Sequence, residues 1–114
     1  MNRTSKLFFD DIKQSIEKIK RYIAELSYKD FAIDEKTVDA VVRNLEIIGE
    51  ASKNIPKRIK SKYSDIPWKE VTSMRNRITH EYFGLDREII WEIAKKDLLE
   101  IEPKIKEIIL QEFE

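Results

Sequence analysis

Apolar residues recur along this chain at steps of three and four, the spacing of one helix face, and rarely alternate as a half-buried strand would. Phe8/Phe9, Ile12, Ile16, Ile19, Ile23 and Leu26 fall on one such face and predict a helix over about residues 5–27. Ser5 is its expected N-cap, and Asp10 and Asp11 put negative charge in early turns, where the helix dipole favours it. Tyr28 to Ala32 reads as a connection, with Asp34 capping a second helix over residues 35–54. That helix carries Val38, Val41, Leu45, Ile48 and Ser52 in one stripe, broadened by Val42 and Ile47. A stripe so wide needs neighbours on more than one side, which predicts that this helix is central. Gly49 inside it costs about 1 kcal/mol relative to alanine, a loss that close packing against another helix would offset.

Pro56 ends the second helix, and a short extra turn is expected around Lys57 to Lys62. Asp65-Ile66-Pro67-Trp68 has the form of a helix start, with Asp65 as N-cap and proline in the first turn. The third main helix then presents Val71, Met74 and Ile78 on one face, and Gly84 is its expected stop, just past Tyr82-Phe83. A last helix starts at the cap Asp86 and carries Ile90, Ala94, Leu98, Ile101, Ile105 and Ile108. Pro103 falls inside it, so a kink or break is expected near Glu102. The pattern predicts an all-α, single-domain, antiparallel bundle of four to five helices. Ile89-Ile90-Trp91, with Ile93 and Ile109, exceeds what one small bundle needs to hide, which points to a homodimer.

Composition narrows the function classes. With 39% of residues charged and 41% apolar, the apolar positions form stripes, and no run is long enough to cross a membrane. The start of the chain leads into a charged helix with no signal-peptide apolar region, and without cysteine there is neither a disulfide framework nor a thiolate metal site. A cytoplasmic protein is the expectation. Lys+Arg and Asp+Glu balance at 22 each, so bulk attraction to nucleic acid is absent and a general coating protein is disfavoured. Local patches still matter. Lys57, Arg58, Lys60 and Lys62, interleaved with Ile59 and Tyr63, are either a solvated basic face or a phosphate-contacting patch that supplies the missing charge. Arg43, Glu46 and Glu50 follow helical spacing and form a polar seam, either of surface or interhelical ion pairs or shaping an active site.

One stretch stands apart from the Lys/Glu surface pattern: Arg75-Asn76-Arg77-Ile78-Thr79-His80-Glu81-Tyr82, which holds the only histidine. Histidine titrates near neutral pH and can take a proton from a 2'-hydroxyl or give one to a leaving oxygen. Arginine offers a fixed fork of donors to a phosphate as charge develops. Asn76 could orient the imidazole or bind a phosphate oxygen. Together they suit metal-independent cleavage of an RNA phosphodiester. At about 100° per residue, however, an ideal helix separates Arg75 and His80 by roughly 140°. They converge only if the helix unwinds near Thr79 or if a second subunit completes the site. By spacing alone such a pair is more often structural or merely exposed, and Tyr82, in line with Val71, Met74 and Ile78, has the position of a core residue.

The stretch resembles the Arg-x4-His-x-Tyr motif of HEPN-domain toxins, specifically the HepT-like group, with a polar residue (Asn76) directly after the motif arginine. The similarity continues through residues 40–51, Ile66-Pro67-Trp68, Met74-Arg75-Asn76, Tyr82-Phe83-Gly84 and Asp86 to Trp91, covering the chain from about Phe8 to Glu102. It implies a dimerising HEPN bundle whose two motif copies face a shared cleft. It implies a metal-independent endoribonuclease, the toxin of a type VII toxin–antitoxin pair, using no cofactor. The implied catalytic residues are Arg75, His80 and Asn76, with Lys57, Arg58, Lys60, Lys62 and Arg77 as candidate RNA contacts. The implied partner is an MntA-type nucleotidyltransferase antitoxin that transfers AMP to the motif tyrosine, by position Tyr82. The competing readings are a non-catalytic nucleotide- or substrate-binding subunit of a minimal nucleotidyltransferase complex, and a structural adaptor in which the motif only stabilises a dimer.

Overall fold

The computed structural model of the chain describes residues 3–81 and 86–114, with the side chains of residues 4–74 and 86–114. The elements are α1 (Arg3–Ile23), α2 (Tyr28–Ala32), α3 (Glu35–Lys53), α4 (Lys57–Lys62), α5 (Trp68–Glu81), α6 (Arg87–Glu92), a π-helical turn (Ile93–Asp97) and α7 (Leu98–Phe113). Among the described residues there is no strand, and no helix is long and apolar enough to cross a membrane. The fold is all-α, as the spacing predicts.

The predicted stripes are the core. Phe9, Ile12, Ile16 and Ile19 of α1, with Val41, Leu45 and Ile48 of α3, are completely buried, as are Ile90, Leu98 and Ile108. Central α3 packs against α1 and against α5, and α1 also packs against α7. Two contacts set the direction of that last pair. The Phe9 and Phe113 rings lie 5.9 Å apart, and Lys20 Nζ is 2.7 Å from Glu102 Oε1, so α1 and α7 run antiparallel. Glu102 is only 6% exposed, and burying such a carboxylate is tolerated because Lys20 neutralises it.

Several local expectations change. Helix α1 is already formed at Arg3, so Ser5 is a buried interior position rather than the cap. Asp10 instead takes a 3.0 Å ion pair from Lys6 one turn earlier. Tyr28 to Ala32 is a helix, not a connection. Ser27 Oγ accepts from Asp30 N and Asp30 Oδ2 accepts from Ser27 N, both at 3.2 Å, a reciprocal capping box around the buried Phe31. Asp34 does cap α3, accepting from Thr37 N at 3.1 Å, and Asp86 caps α6, accepting from Glu88 N at 2.8 Å. Asp65 caps nothing. Helix α5 begins only at Trp68, and Pro67 lies just before it, its carbonyl accepting from Val71 N at 3.0 Å. The Asp65 carbonyl oxygen is taken by Lys104 Nζ at 3.0 Å.

Pro103 does not break the last helix; it sits inside α7. Lacking an N–H, it deprives only the Leu99 carbonyl of its usual donor, and Leu99 is 48% exposed, so water can serve that carbonyl. The interruption comes earlier, at the π turn. Ile90, Ala94 and Leu98 follow one another by steps of four, which drift off a 3.6-residue face, and the i→i+5 bonds of a π turn absorb the drift. All three stay buried. The apolar surplus that suggested a dimer is largely covered within the chain. Ile90 is buried, and Trp91 lies 5.1 Å from the Phe31 ring and 6.1 Å from the Tyr28 ring.

Helix α4 is fastened to the end of α7 through Glu112, whose Oε2 accepts from Lys62 Nζ and from Tyr63 Oη, each at 2.7 Å. Those donors, Lys62 first, hold the Glu112 carboxyl below its ordinary value of 4.5. A lowered folded-state pKa contributes stability that is fully present above the unfolded value and is lost as pH falls through the folded one. Urea unfolding of the wild type and Glu112→Gln should therefore differ at neutral pH, with the wild type the more stable, and the difference should vanish as the pH is taken well below 4.5.

Candidate functional site

The residues singled out by their chemistry lie in the second half of α5, so what fixes α5 fixes them. Its first half is anchored by unlike contacts. Trp68 Nε1 donates to the Tyr63 carbonyl at 3.0 Å, and the Trp68 ring meets Phe9 edge-on at 6.4 Å. Val71 and Met74 are buried in the core. The Thr72 hydroxyl lies 3.0 Å from that of Ser52, which is fully buried on α3. Apolar packing alone would let α5 slide or rotate against α3; a directional bond between two side chains limits both.

From this anchored half, α5 continues as one α-helix to Glu81. Arg75, Asn76, Arg77 and His80 therefore occupy successive helical positions, while their side chains, and the whole of Tyr82, Phe83 and Gly84, lie outside the described residues. The helix does not unwind at Thr79, so the convergence of Arg75 and His80 that needed unwinding there does not occur in α5.

The basic segment lies toward the other end of α5. Lys57 and Arg58 are exposed on α4. Lys60 Nζ lies 6.0 Å from the centre of the Trp68 ring, and its burial lowers its pKa; Lys62 is held by Glu112. Trp68 precedes His80 by twelve positions, roughly 18 Å along the axis. A strand touching both would have to run the length of α5. The engagement of Lys60 and Lys62 had no local sequence signal, since their partners are brought near by the fold.

Among the described residues, two of the grooves on the bundle bear on the charged segments. One, of about 450 Å³, lies between α1 and α3, with Phe8, Ile47 and Ala51 as its apolar part and Asp11, Arg43, Glu46 and Glu50 as its polar part. The polar seam of α3 thus lines a groove, and Arg43 and Glu46 have no ion-pair partner among the described residues. The second, of about 430 Å³, lies between α5 and α7, where Asp65, Glu70, Asp97 and Glu100 outnumber Lys104. Burial, and then the charge of Glu100, push the Asp97 carboxyl up. Such a carboxylate-lined groove repels a polyanion. Among the described residues, no group of three or more His, Asp or Glu side chains is arranged to hold a metal ion.

Comparison with known proteins follows this geometry. Residues 12–108 match the family model described as ribonuclease HepT-like. A protein of Thermococcus cleftensis named "Probable ribonuclease HepT" is 42% identical over 108 residues, covering 95% of this chain and 98% of its own. A protein of Caldanaerobacter subterraneus subsp. tengcongensis, provisionally named as an RNase, is 42% identical over 110 residues, covering 96% of this chain and 98% of its own. Another provisionally named RNase, from Methanocaldococcus jannaschii, is 40% identical over 105 residues, 89% of this chain and 87% of its own. No solved structure gives a significant match.

The Ser52–Thr72 bond gives a test of how α5 is held. Thr72→Val keeps the shape and leaves the buried Ser52 hydroxyl without that partner, so unfolding free energy should fall by about 1–2 kcal/mol. Adding Ser52→Ala should recover part of the loss, as urea titrations of the two single variants and the double would reveal.

Proposed function

The chain belongs to the ribonuclease HepT-like family, and on that premise we propose that it is a metal-independent endoribonuclease, the toxin of a type VII toxin–antitoxin pair. The observation that carries this reading is the Arg75-x4-His80-x-Tyr82 motif on a helix that runs unbroken to Glu81. One copy of such a helix cannot aim both residues at one phosphate, so the proposed active unit is a homodimer with a shared cleft.

In that cleft, the His80 imidazole of one copy takes the proton of a ribose 2'-hydroxyl as its oxygen attacks the adjacent phosphorus. The bond from phosphorus to the 5' oxygen breaks, and that oxygen receives a proton from the imidazolium of the other copy. Arg75 holds the non-bridging oxygens as negative charge grows on them, with the Asn76 amide as a further donor. Lys57, Arg58, Lys60, Lys62 and Arg77 are proposed to contact flanking phosphates; this would supply locally the positive charge that a net charge of zero denies the whole molecule.

The proposed partner is an MntA-type nucleotidyltransferase antitoxin. It would transfer AMP from ATP to the Tyr82 phenol oxygen, forming the new oxygen–phosphorus bond as pyrophosphate leaves and the phenol gives up its proton. The product sets a negative phosphodiester and a bulky nucleoside seven positions after Arg75 in the sequence, displacing RNA by charge and by occupancy.

Expression of the wild type without an antitoxin should arrest growth and degrade cellular RNA, and the purified chain should cleave RNA in the presence of a chelator. His80→Ala should relieve the arrest and lower the cleavage rate by at least roughly a hundredfold. A harmless wild type that leaves total RNA intact would remove the ribonuclease reading. Incubation with the nucleotidyltransferase and ATP should add the mass of AMP to the tryptic peptide containing Tyr82, and the Tyr82→Phe variant should stay unmodified and toxic.

A further inference from the structure

We propose that the outer seam between α1 and α7 docks an acidic amphipathic helix of a partner protein, anchored by one large apolar side chain inserted between Lys20 and Lys95. The surface stands apart from the motif. None of its residues belongs to α4 or α5, and the proposal does not rest on the ribonuclease reading.

Leu99, Pro103, Lys106 and Leu110 succeed one another by steps of four, three and four, forming one line along α7 that spans roughly 16 Å. All four are exposed, Leu99 at 48% and Leu110 at 60%. On α1, Lys13 and Lys20 stand seven positions apart, two turns along nearly the same line. The 2.7 Å pair of Lys20 with Glu102 brings that line beside the one on α7. Where the lines meet the π turn, Lys20, Ile23 and Ala24 join Ala94, Lys95 and Leu99 around a pocket of about 220 Å³. The two alanines leave the room, since a longer side chain at either position would fill it.

Size and charge select the occupant. About 220 Å³ is less than the roughly 300–1,000 Å³ of a small-molecule site, and it suits a single anchoring side chain of a larger partner. The lining is apolar apart from its two lysines. Lys95 Nζ lies 5.0 Å from the centre of the Trp91 ring, a contact that favours keeping the ammonium there. Along the seam, the lysines at 13, 20, 95 and 106 outnumber Glu17 and Glu102. Glu102 is buried, with Lys20 at 2.7 Å and Lys106 at 3.8 Å, so the charge turned outward is positive. Carboxylates flanking an apolar anchor complement that surface. A second copy of the seam would set lysines against lysines. RNA would leave the apolar line of α7 uncovered, and a bilayer, being broad, would not enter the pocket.

The experiment measures fluorescence anisotropy of a labelled helical peptide, with leucines on one face and glutamates on both flanks, titrated with the full chain. Its counterpart carries lysine for every glutamate, and circular dichroism checks that each protein variant keeps its helices. The acidic peptide should bind saturably, at least roughly tenfold more tightly than the basic one. Lys95→Glu and Leu99→Ala should each weaken it by roughly tenfold, and Lys95→Glu should also narrow the preference for the acidic peptide. Lys36→Glu, the same charge change on exposed α3 surface, should leave binding unchanged. An acidic peptide that does not bind, or that binds both seam variants as well as the wild type, would overturn the proposal. A single-stranded oligoribonucleotide and phosphatidylglycerol vesicles are titrated in parallel. Either one losing as much affinity to Lys95→Glu and Leu99→Ala as the peptide does would assign the seam to a polyanion or a lipid surface instead.

Discussion

A helix buried on two sides can turn only one narrow face to water, and α3 is such a helix. Val41, Leu45 and Ile48 are completely buried, and α1 and α5 pack against it from separate sides. Because those sides are taken, Arg43, Glu46 and Glu50 share what remains, which is why the polar seam of α3 is a single line rather than a scattered surface. The same two-sided burial sets the position of α5. Ser52 is fully buried, and its hydroxyl meets Thr72 across the α3–α5 contact. The motif positions begin three residues beyond Thr72, less than one turn past a directional bond. The second half of α5, which carries the motif positions, therefore inherits its height and rotation from a contact made in the core.

The long helices were legible because their information is local and repeated. Each turn of α1 or α3 adds another apolar residue in phase, so one misread position does not move the helix, and the caps Asp34 and Asp86 sit where a polar residue meets the start of a stripe. What escaped was either too short to repeat or made at a distance. Helix α2 spans five residues, less than two turns, so its signal lay in the Ser27/Asp30 capping box and not in periodicity. Asp65 looked like a cap because nothing nearby says that Lys104 will take its carbonyl oxygen. Pro103 drew attention from the successive steps of four at Ile90, Ala94 and Leu98, although the drifting stripe, not the proline, forced the π turn. For the candidate site, the helical wheel correctly located Arg75 and His80 on one α-helix and left two ways to unite them. The backbone, helical through Glu81, removes unwinding.

The described residues offer a polyanion few free positive charges, in keeping with a total charge of zero. The charged residues lining the groove between α5 and α7 are mostly carboxylates, and burial, then the charge of Glu100, raises the Asp97 carboxyl. Lys62 is neutralised by Glu112, and Lys60 rests over an indole ring. Only Lys57 and Arg58 remain as exposed cations of the α4 segment, and Arg58 already has an interaction within the chain. Attraction spread so thinly gives little affinity to any one copy, since each phosphate neutralised adds only one increment of counterion release. Two copies brought together double the number of contacts without adding a residue.

That arithmetic bears on control. If cleavage needs Arg75 and His80 from a two-copy cleft, activity depends on the dimer as well as on the motif, and a weak interface would make it depend on concentration. A switch placed at Tyr82 would then have no need to unfold or dissociate anything. One nucleotide added beside the motif would change the charge that RNA meets at the cleft, and in a shared site a single modified copy would block a phosphate path used by both. The bundle can stay intact while its activity is turned off, which suits a stable core carrying its reactive residues at the end of one anchored helix.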